Sequence, residues 1–163
     1  MNELNQKIMN QNDGAIIREE ADAAGQKIVF TNGCFDLLHV GHSRYLRMAR
    51  ELGDKLVIGL NSDDSIRRLK GNKRPIVSEE QRAEMLASFY FVDSVILFEE
   101  DTPLDLIKSV KPDFLVKGGD WNESQIVGAD FVKSIGGEIR SIRFVDGMAT
   151  TNIIQQVLEK YCH

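Results

Sequence analysis

The chain has 163 residues, enough for one domain around one core, with 25 acidic against 20 basic side chains and a formal charge of −5. That balance argues against nucleic acid as the main partner. No apolar run approaches bilayer length, and the polar start MNELNQKIMNQNDG lacks the apolar core of a secretory signal, so no membrane is expected. Two cysteines, Cys34 and Cys162, make no disulfide framework, which fits a reducing cytoplasm.

Residues 1–26 read as an N-terminal helical extension, a polar helix from Asn2 to Ala24 stopped by Gly25. Its Ile8, Ile16 and Ile17 are free to pack on the domain or on a second subunit. The rest, 27–163, reads as a single domain. Ile28-Val29-Phe30 is an apolar run of the buried-strand type. A turn with Asn32 and Gly33 follows, then Phe35-Asp36-Leu37-Leu38, then two of the three histidines, His39 and His42, with Gly41 between them. Leu46, Ala49 and Leu52 recur at helical spacing until Gly53. The histidines therefore sit where a strand hands over to a helix N-terminus, which gathers free N–H groups and the positive end of the helix dipole and suits an anion. The same pair could be half of a zinc site or two capping imidazoles; zinc needs further ligands, and the cysteines form no cluster. Cys34 reads as a small buried neighbour of this turn.

Lys55 to Leu60 is a second buried strand, and the polar residues after it cap a short helix over Ser65 to Leu69. In the following KGNKRPIV, Gly71 and Pro75 break regular structure and leave Lys70, Lys73 and Arg74 on a loop. Such a loop is either a solvated basic stretch or a lid over bound phosphates. Ser78 to Phe89 is a helix with a Ser78–Gln81 capping box. Ser94 to Phe98 is a third strand, and Thr102 to Val110 a helix with Pro103 in its first turn. Asp113 to Val116 is a fourth strand, running into Lys117-Gly118-Gly119-Asp120-Trp121. Glu123 to Ile135 reads as a helix and Glu138 to Phe144 as a fifth strand. The turn Asp146-Gly147-Met148-Ala149 leads through Thr150-Thr151-Asn152 into a last helix, Ile153 to Lys160. This alternation predicts an α/β fold, a doubly wound five-stranded parallel sheet of Rossmann-like type in a single domain. Ligands bind such sheets at the carboxyl ends of the strands near the switch point, where the turns after the first, fourth and fifth strands converge.

These residues resemble the nucleotidyltransferase superfamily defined by a His-x-Gly-His turn, the cytidylyltransferase-like type. His39-Val40-Gly41-His42 matches that turn, and Thr150-Thr151 matches the hydroxyl-rich start of the last helix. TNGCFDLLHVGH, RLKGNKRP, EEDTP and VKGGDW are similar to the heptose 1-phosphate adenylyltransferases, which make ADP-heptose for lipopolysaccharide. The resemblance runs from about Lys27 to the end. The usual Ser of Ser-Thr-Thr is Ala149 here. The Arg-Thr-Glu-Gly of CTP-using relatives is replaced by Phe144-Val145-Asp146-Gly147.

The resemblance implies ATP and D-glycero-β-D-manno-heptose 1-phosphate as substrates, magnesium carried on the ATP phosphates, a separate heptose kinase in the same pathway and a homodimer. It implies that His39 and His42 donate to the phosphates and that Lys73, with Lys70 as second candidate, neutralises the pyrophosphate. Backbone N–H groups of Asn32, Gly33, Cys34 and Phe35 and the helix start at Gly41 would cradle the triphosphate. Thr150 and Thr151 would hold its β- and γ-phosphates, and Gly118, Gly119, Asp120 and Trp121 would form the base and ribose side. Other roles stay open in the sequence. Asp36 holds a sugar hydroxyl or magnesium, or caps its own turn. Arg82 reaches substrate phosphate or makes a salt bridge. Lys117 contacts the sugar phosphate or ends a strand. Trp121 stacks on adenine or closes the core. A cytidylyltransferase acting on glycerol 3-phosphate or ethanolamine phosphate is one rival function, and a non-catalytic nucleotide-binding regulatory module is another.

Overall fold

The computed structural model describes residues 3–119, 121–143 and 149–161. The sheet is parallel throughout, as near-continuous apolar strands buried on both faces require. Its strands are β1 (Ile8–Met9), β2 (Ile28–Gly33), β3 (Lys55–Asn61), β4 (Ser94–Phe98), β5 (Phe114–Gly118) and β6 (Glu138–Ile142), in the order β1-β4-β3-β2-β5-β6. The chain winds outward from β2 through β3 to β4, then returns to the far side of β2 with β5. The switch point therefore lies between the carboxyl ends of β2 and β5, as doubly winding implies.

Alternation along the strands separates two cores. Val29, Leu56 and Ile58 face helices α3 (Val40–Arg50) and α5 (Glu79–Ala87), with Leu46, Ala49 and Leu86 packed against them. Ile28, Phe30, Val57 and Leu115 face α2 (Gly14–Ala24), α6 (Leu104–Val110) and α7 (Ala129–Ser134), which contribute Ile17, Leu106, Ile107 and Val132.

Among the described residues the sheet has six strands, not the expected five, and the expected helix over 2–24 is divided. A short α1 (Glu3–Lys7) precedes β1, whose Ile8 and Met9 pair with Val95 and Ile96 on the outer edge of β4. Asn10 then exchanges bonds with Asp13, and α2 begins at Gly14. The open edge of β4 supplies backbone partners that outweigh the helix propensity of this polar segment. The capping box at α5 is not formed: Ser78 is the N-cap but makes no side-chain cap bond. The helix expected over 123–135 is a 3₁₀ turn, Glu123–Gln125, followed by α7, with Gly128 in the left-handed region at φ 85° between them. The short helix after β3 is longer than expected; α4 spans Asp63–Lys70, and the Ser62 side chain accepts from Ser65 N.

Candidate active site

The turn after β2 is shaped by two non-glycine residues in the left-handed region, Phe35 at φ 48° and Leu37 at φ 54°. This is conformational cost of the kind that gathers at functional sites. Between them Asp36 points inward and is 2% exposed. Its carboxylate accepts from Arg74 Nε at 2.5 Å, from Ile76 N at 2.9 Å and from Val77 N at 3.0 Å. Burial alone would raise this carboxyl, but the Ile76 and Val77 N–H groups and the Arg74 guanidinium outweigh it and hold Asp36 below its usual range. Asp36 thus ties the basic loop onto the histidine turn, which is neither of the roles open to it in the sequence.

Arg82 is 1% exposed and forms a salt bridge with Asp63 at 2.7 Å. It also donates to Cys34 O at 2.7 Å, Asn61 O at 2.9 Å and Val77 O at 3.0 Å. Its five N–H donors in a rigid fork suit a site where the ends of β2, β3 and the loop all present carbonyls. Asp36, Arg74 and Arg82 form the scaffold of the turn. Spacing gave no sign of this, because their partners, main-chain and side-chain alike, lie up to 48 residues away.

The histidines are organised by the helix start. His39 is the N-cap of α3, and its Nδ1 accepts from Gly41 N at 3.1 Å. The His39 N–H in turn donates to His42 Nδ1 at 3.4 Å. An imidazole nitrogen that accepts carries no proton, so both neutral rings keep theirs on Nε2. The rings lie against each other with centroids 4.0 Å apart, and Phe35 meets His42 edge-on at 5.5 Å. Burial, with help from His39 and the Lys70 ammonium, lowers His42 to about 4, and burial also lowers His39. Both rings are therefore neutral Nε2–H donors at physiological pH. Gly41 is buried and spends its N–H on His39.

Other elements converge here. Thr31 Oγ1 and Tyr45 Oη lie 2.6 Å apart, and Tyr45 Oη donates to Val116 O at 3.3 Å, fixing α3 over the β2–β5 junction. Helix α8 (Thr150–Tyr161) starts beside the turn, and Thr150 Oγ1 donates to Asp36 O at 2.8 Å. Thr151, on the same first turn, is exposed. At the end of β5, Lys117 Nζ donates to Asn32 Oδ1 at 2.6 Å. Gly118 closes the strand, and Gly119, at φ 105°, donates to Ile142 O at 2.8 Å. Trp121 Nε1 donates to Gly118 O at 2.9 Å while the residue stays 53% exposed, so its ring does not close the core. Asn32, Gly33 and Cys34 are half-buried beside Phe35, and a Cβ on Gly33 would lie 3.1 Å from the Phe35 ring. Lys70 and Lys73 are exposed, and Lys70 is close enough to bear on His42. Asp120 and the turn Phe144-Val145-Asp146-Gly147 with Met148 lie outside the described residues.

No helix among the described residues is long and apolar enough to cross a membrane. A cytidylyltransferase-like family model matches residues 30–155. Curated relatives named bifunctional protein HldE, from Pelobacter propionicus and Geobacter sulfurreducens, are 56% and 53% identical over 155 residues. Each match covers 95% of this chain but only 32% of the relative, so the chain spans 32% of their length. Among solved structures, the lipopolysaccharide core biosynthesis protein from Thermoplasma volcanium has a TM-score of 0.61 at 30% identity, covering 74% of this chain and 98% of that one. Pantoate-beta-alanine ligase from Francisella tularensis shares the fold, with a TM-score of 0.60 at 16% identity over 93% of this chain and 77% of its own. The matched span opens in β2, passes through both histidines and closes within α8, and the chain belongs to the cytidylyltransferase-like family.

Proposed function

We propose that this chain transfers AMP from ATP to D-glycero-β-D-manno-heptose 1-phosphate, giving ADP-heptose and pyrophosphate for lipopolysaccharide core or a related heptose glycan. The observation that carries the reading is the pair of neutral imidazoles at the start of α3, with both Nδ1 atoms committed and both Nε2–H groups without a partner among the described residues. The sugar phosphate is already anionic at neutral pH, so no general base is required. One of its oxygens attacks the α-phosphorus, the bond from that phosphorus to the bridging oxygen breaks, and pyrophosphate leaves. Catalysis is then positioning and stabilisation of charge on the phosphoryl oxygens.

His39 and His42 donate to those oxygens through Nε2. A neutral imidazole donates this hydrogen bond and keeps its proton, so no proton transfer accompanies the step. Lys73 and Lys70 meet the pyrophosphate from the loop that Asp36 holds, and Thr150 and Thr151 hold the β- and γ-phosphates at the α8 N-terminus. Backbone N–H groups over 32–35 cradle the triphosphate. The exposed Trp121 ring stacks on adenine, with Gly118, Gly119 and Asp120 around the ribose. The carboxylate nearest the turn, Asp36, is already satisfied by Arg74, Ile76 and Val77, which supports magnesium entering on the ATP phosphates and relieving their mutual repulsion. A heptose kinase activity must supply the 1-phosphate. The proposal also includes a cytoplasmic location and a homodimer.

Pyrophosphate release measured with ATP and with CTP, across heptose 1-phosphates, glycerol 3-phosphate and ethanolamine phosphate, tests the reading. Turnover with ATP and a heptose 1-phosphate is the expected result. Preference for CTP would transfer the chain to the cytidylyltransferases proper, and tight ATP binding without turnover would make it a regulatory module.

A further inference from the structure

Lys117 is the penultimate residue of β5, and it lies on the flank of the switch point away from the basic loop. Its side chain leaves the sheet on the same face as Leu115, and its ammonium rests on Asn32 Oδ1, from the penultimate position of β2. None of the ion pairs found among the described residues includes it, and its one hydrogen bond there is to a neutral amide. Of the described titratable groups only the Cys34 thiol bears on it, while Ser141 on β6 stands opposite in register. Among the described residues this half-buried ammonium is held by an amide alone, an unneutralised charge at the mouth of a ligand crevice. Strand-end lysines with a structural role are normally paired or free in water.

We propose that Lys117 is the cation that receives the phosphate of the acceptor sugar, held ready on Asn32 until that phosphate arrives. The inference rests on the adenylyl-transfer reading. In-line displacement puts the attacking and leaving oxygens on opposite sides of the α-phosphorus. The Lys70–Lys73 loop reaches the histidine turn from the β3 side and is tied there through Arg74 to Asp36. Lys117 comes in from the β5 side, onto Asn32 near the end of β2. Pyrophosphate against the loop therefore directs the incoming phosphate toward Lys117, which gives the site a charge-based preference for a phosphorylated sugar over the free one. Burial lowers this lysine to about 8, so the empty site titrates near physiological pH, and a bound phosphate dianion restores the proton.

Steady-state kinetics of Lys117→Met and Lys117→Arg, with ATP affinity measured separately by calorimetry, test it. Loss of one charge-assisted bond predicts a KM for heptose 1-phosphate raised about 10- to 100-fold in Lys117→Met, with ATP affinity little changed and most of the loss restored in Lys117→Arg. In the wild type that KM should climb above pH ~8 by up to about tenfold per unit, because binding must then take up a proton, and it should stay flat in Lys117→Arg. An unchanged sugar-phosphate KM in Lys117→Met, or an equal loss of ATP affinity, overturns the assignment. Should Lys117→Met fail to fold, the pH profile of Lys117→Arg decides, and a rise matching the wild type counts against it. Absence of ADP-heptose from the wild type with either anomer is a different result, and would remove the parent reading instead.

Discussion

Asp36→Asn isolates the contact that holds the basic loop to the histidine turn. The substitution keeps shape and volume, so the cost is electrostatic. In the wild type Oδ1 accepts from Ile76 N and Val77 N, and Oδ2 from Arg74 Nε and Ile76 N. An asparagine that keeps its oxygen on the two main-chain groups must turn its NH₂ toward the Arg74 donor. One charge-assisted bond becomes a donor facing a donor in a place where the Asp36 side chain is fully buried and that of Arg74 is 18% exposed. The loss is about 2–3 kcal/mol, which lowers Tm by roughly 5–10 °C for a domain of this size. The free loop no longer presents Lys70 and Lys73 in place, so KM for ATP should rise several-fold. Thermal melting, proteolysis within 71–77 and ATP kinetics on the same sample measure all three. The folded Asp36 carboxyl lies below its ordinary value of 3.8, so its contribution is full above that value. The gap between wild type and variant should accordingly close as pH falls through the folded value. Equal melting temperatures and equal loop cleavage would show that Asp36 does not hold the loop.

Arg82→Met leaves the carbonyls of Cys34, Asn61 and Val77 and the Asp63 carboxylate without their donor. Loss of one partner from a buried network predicts a cost of about 3–5 kcal/mol, seen as a Tm roughly 10 °C lower or as insoluble protein. His42 protonates near 4 when folded against 6.5 as a free side chain, so the unfolded state takes up its proton first as pH falls. Stability is therefore full above 6.5 and is lost progressively toward 4; in His42→Asn, urea midpoints across that window should fall less steeply.

Much of the site could be read along the chain because its parts are local. The strand–turn–helix signal placed His39 and His42 at a helix start, and the doubly wound order brought 32–35, 117–119 and 150–151 to one end of the sheet. The remainder depended on contacts between distant segments. Ile8-Met9 is too short to read as a strand until the edge of β4 lies beside it. Asp36 read as a turn cap or a ligand because nothing in its neighbourhood shows that the N–H groups of Ile76 and Val77 return to it. Arg82 stayed open between a substrate phosphate and a salt bridge, because its partner Asp63 and its three carbonyls come together only after β2, β3 and the loop have packed.

The claim on which the mechanism turns is that a neutral imidazole stabilises the α-phosphoryl group in transit. Rapid-quench measurement of ADP-heptose formation by His42→Ala, beside calorimetric ATP affinity, addresses it most directly. The expected result is turnover slower by about a hundredfold, the cost typical of one lost transition-state donor, with ATP bound almost as tightly as before. Turnover near that of the wild type, or a loss confined to ATP affinity, would contradict it.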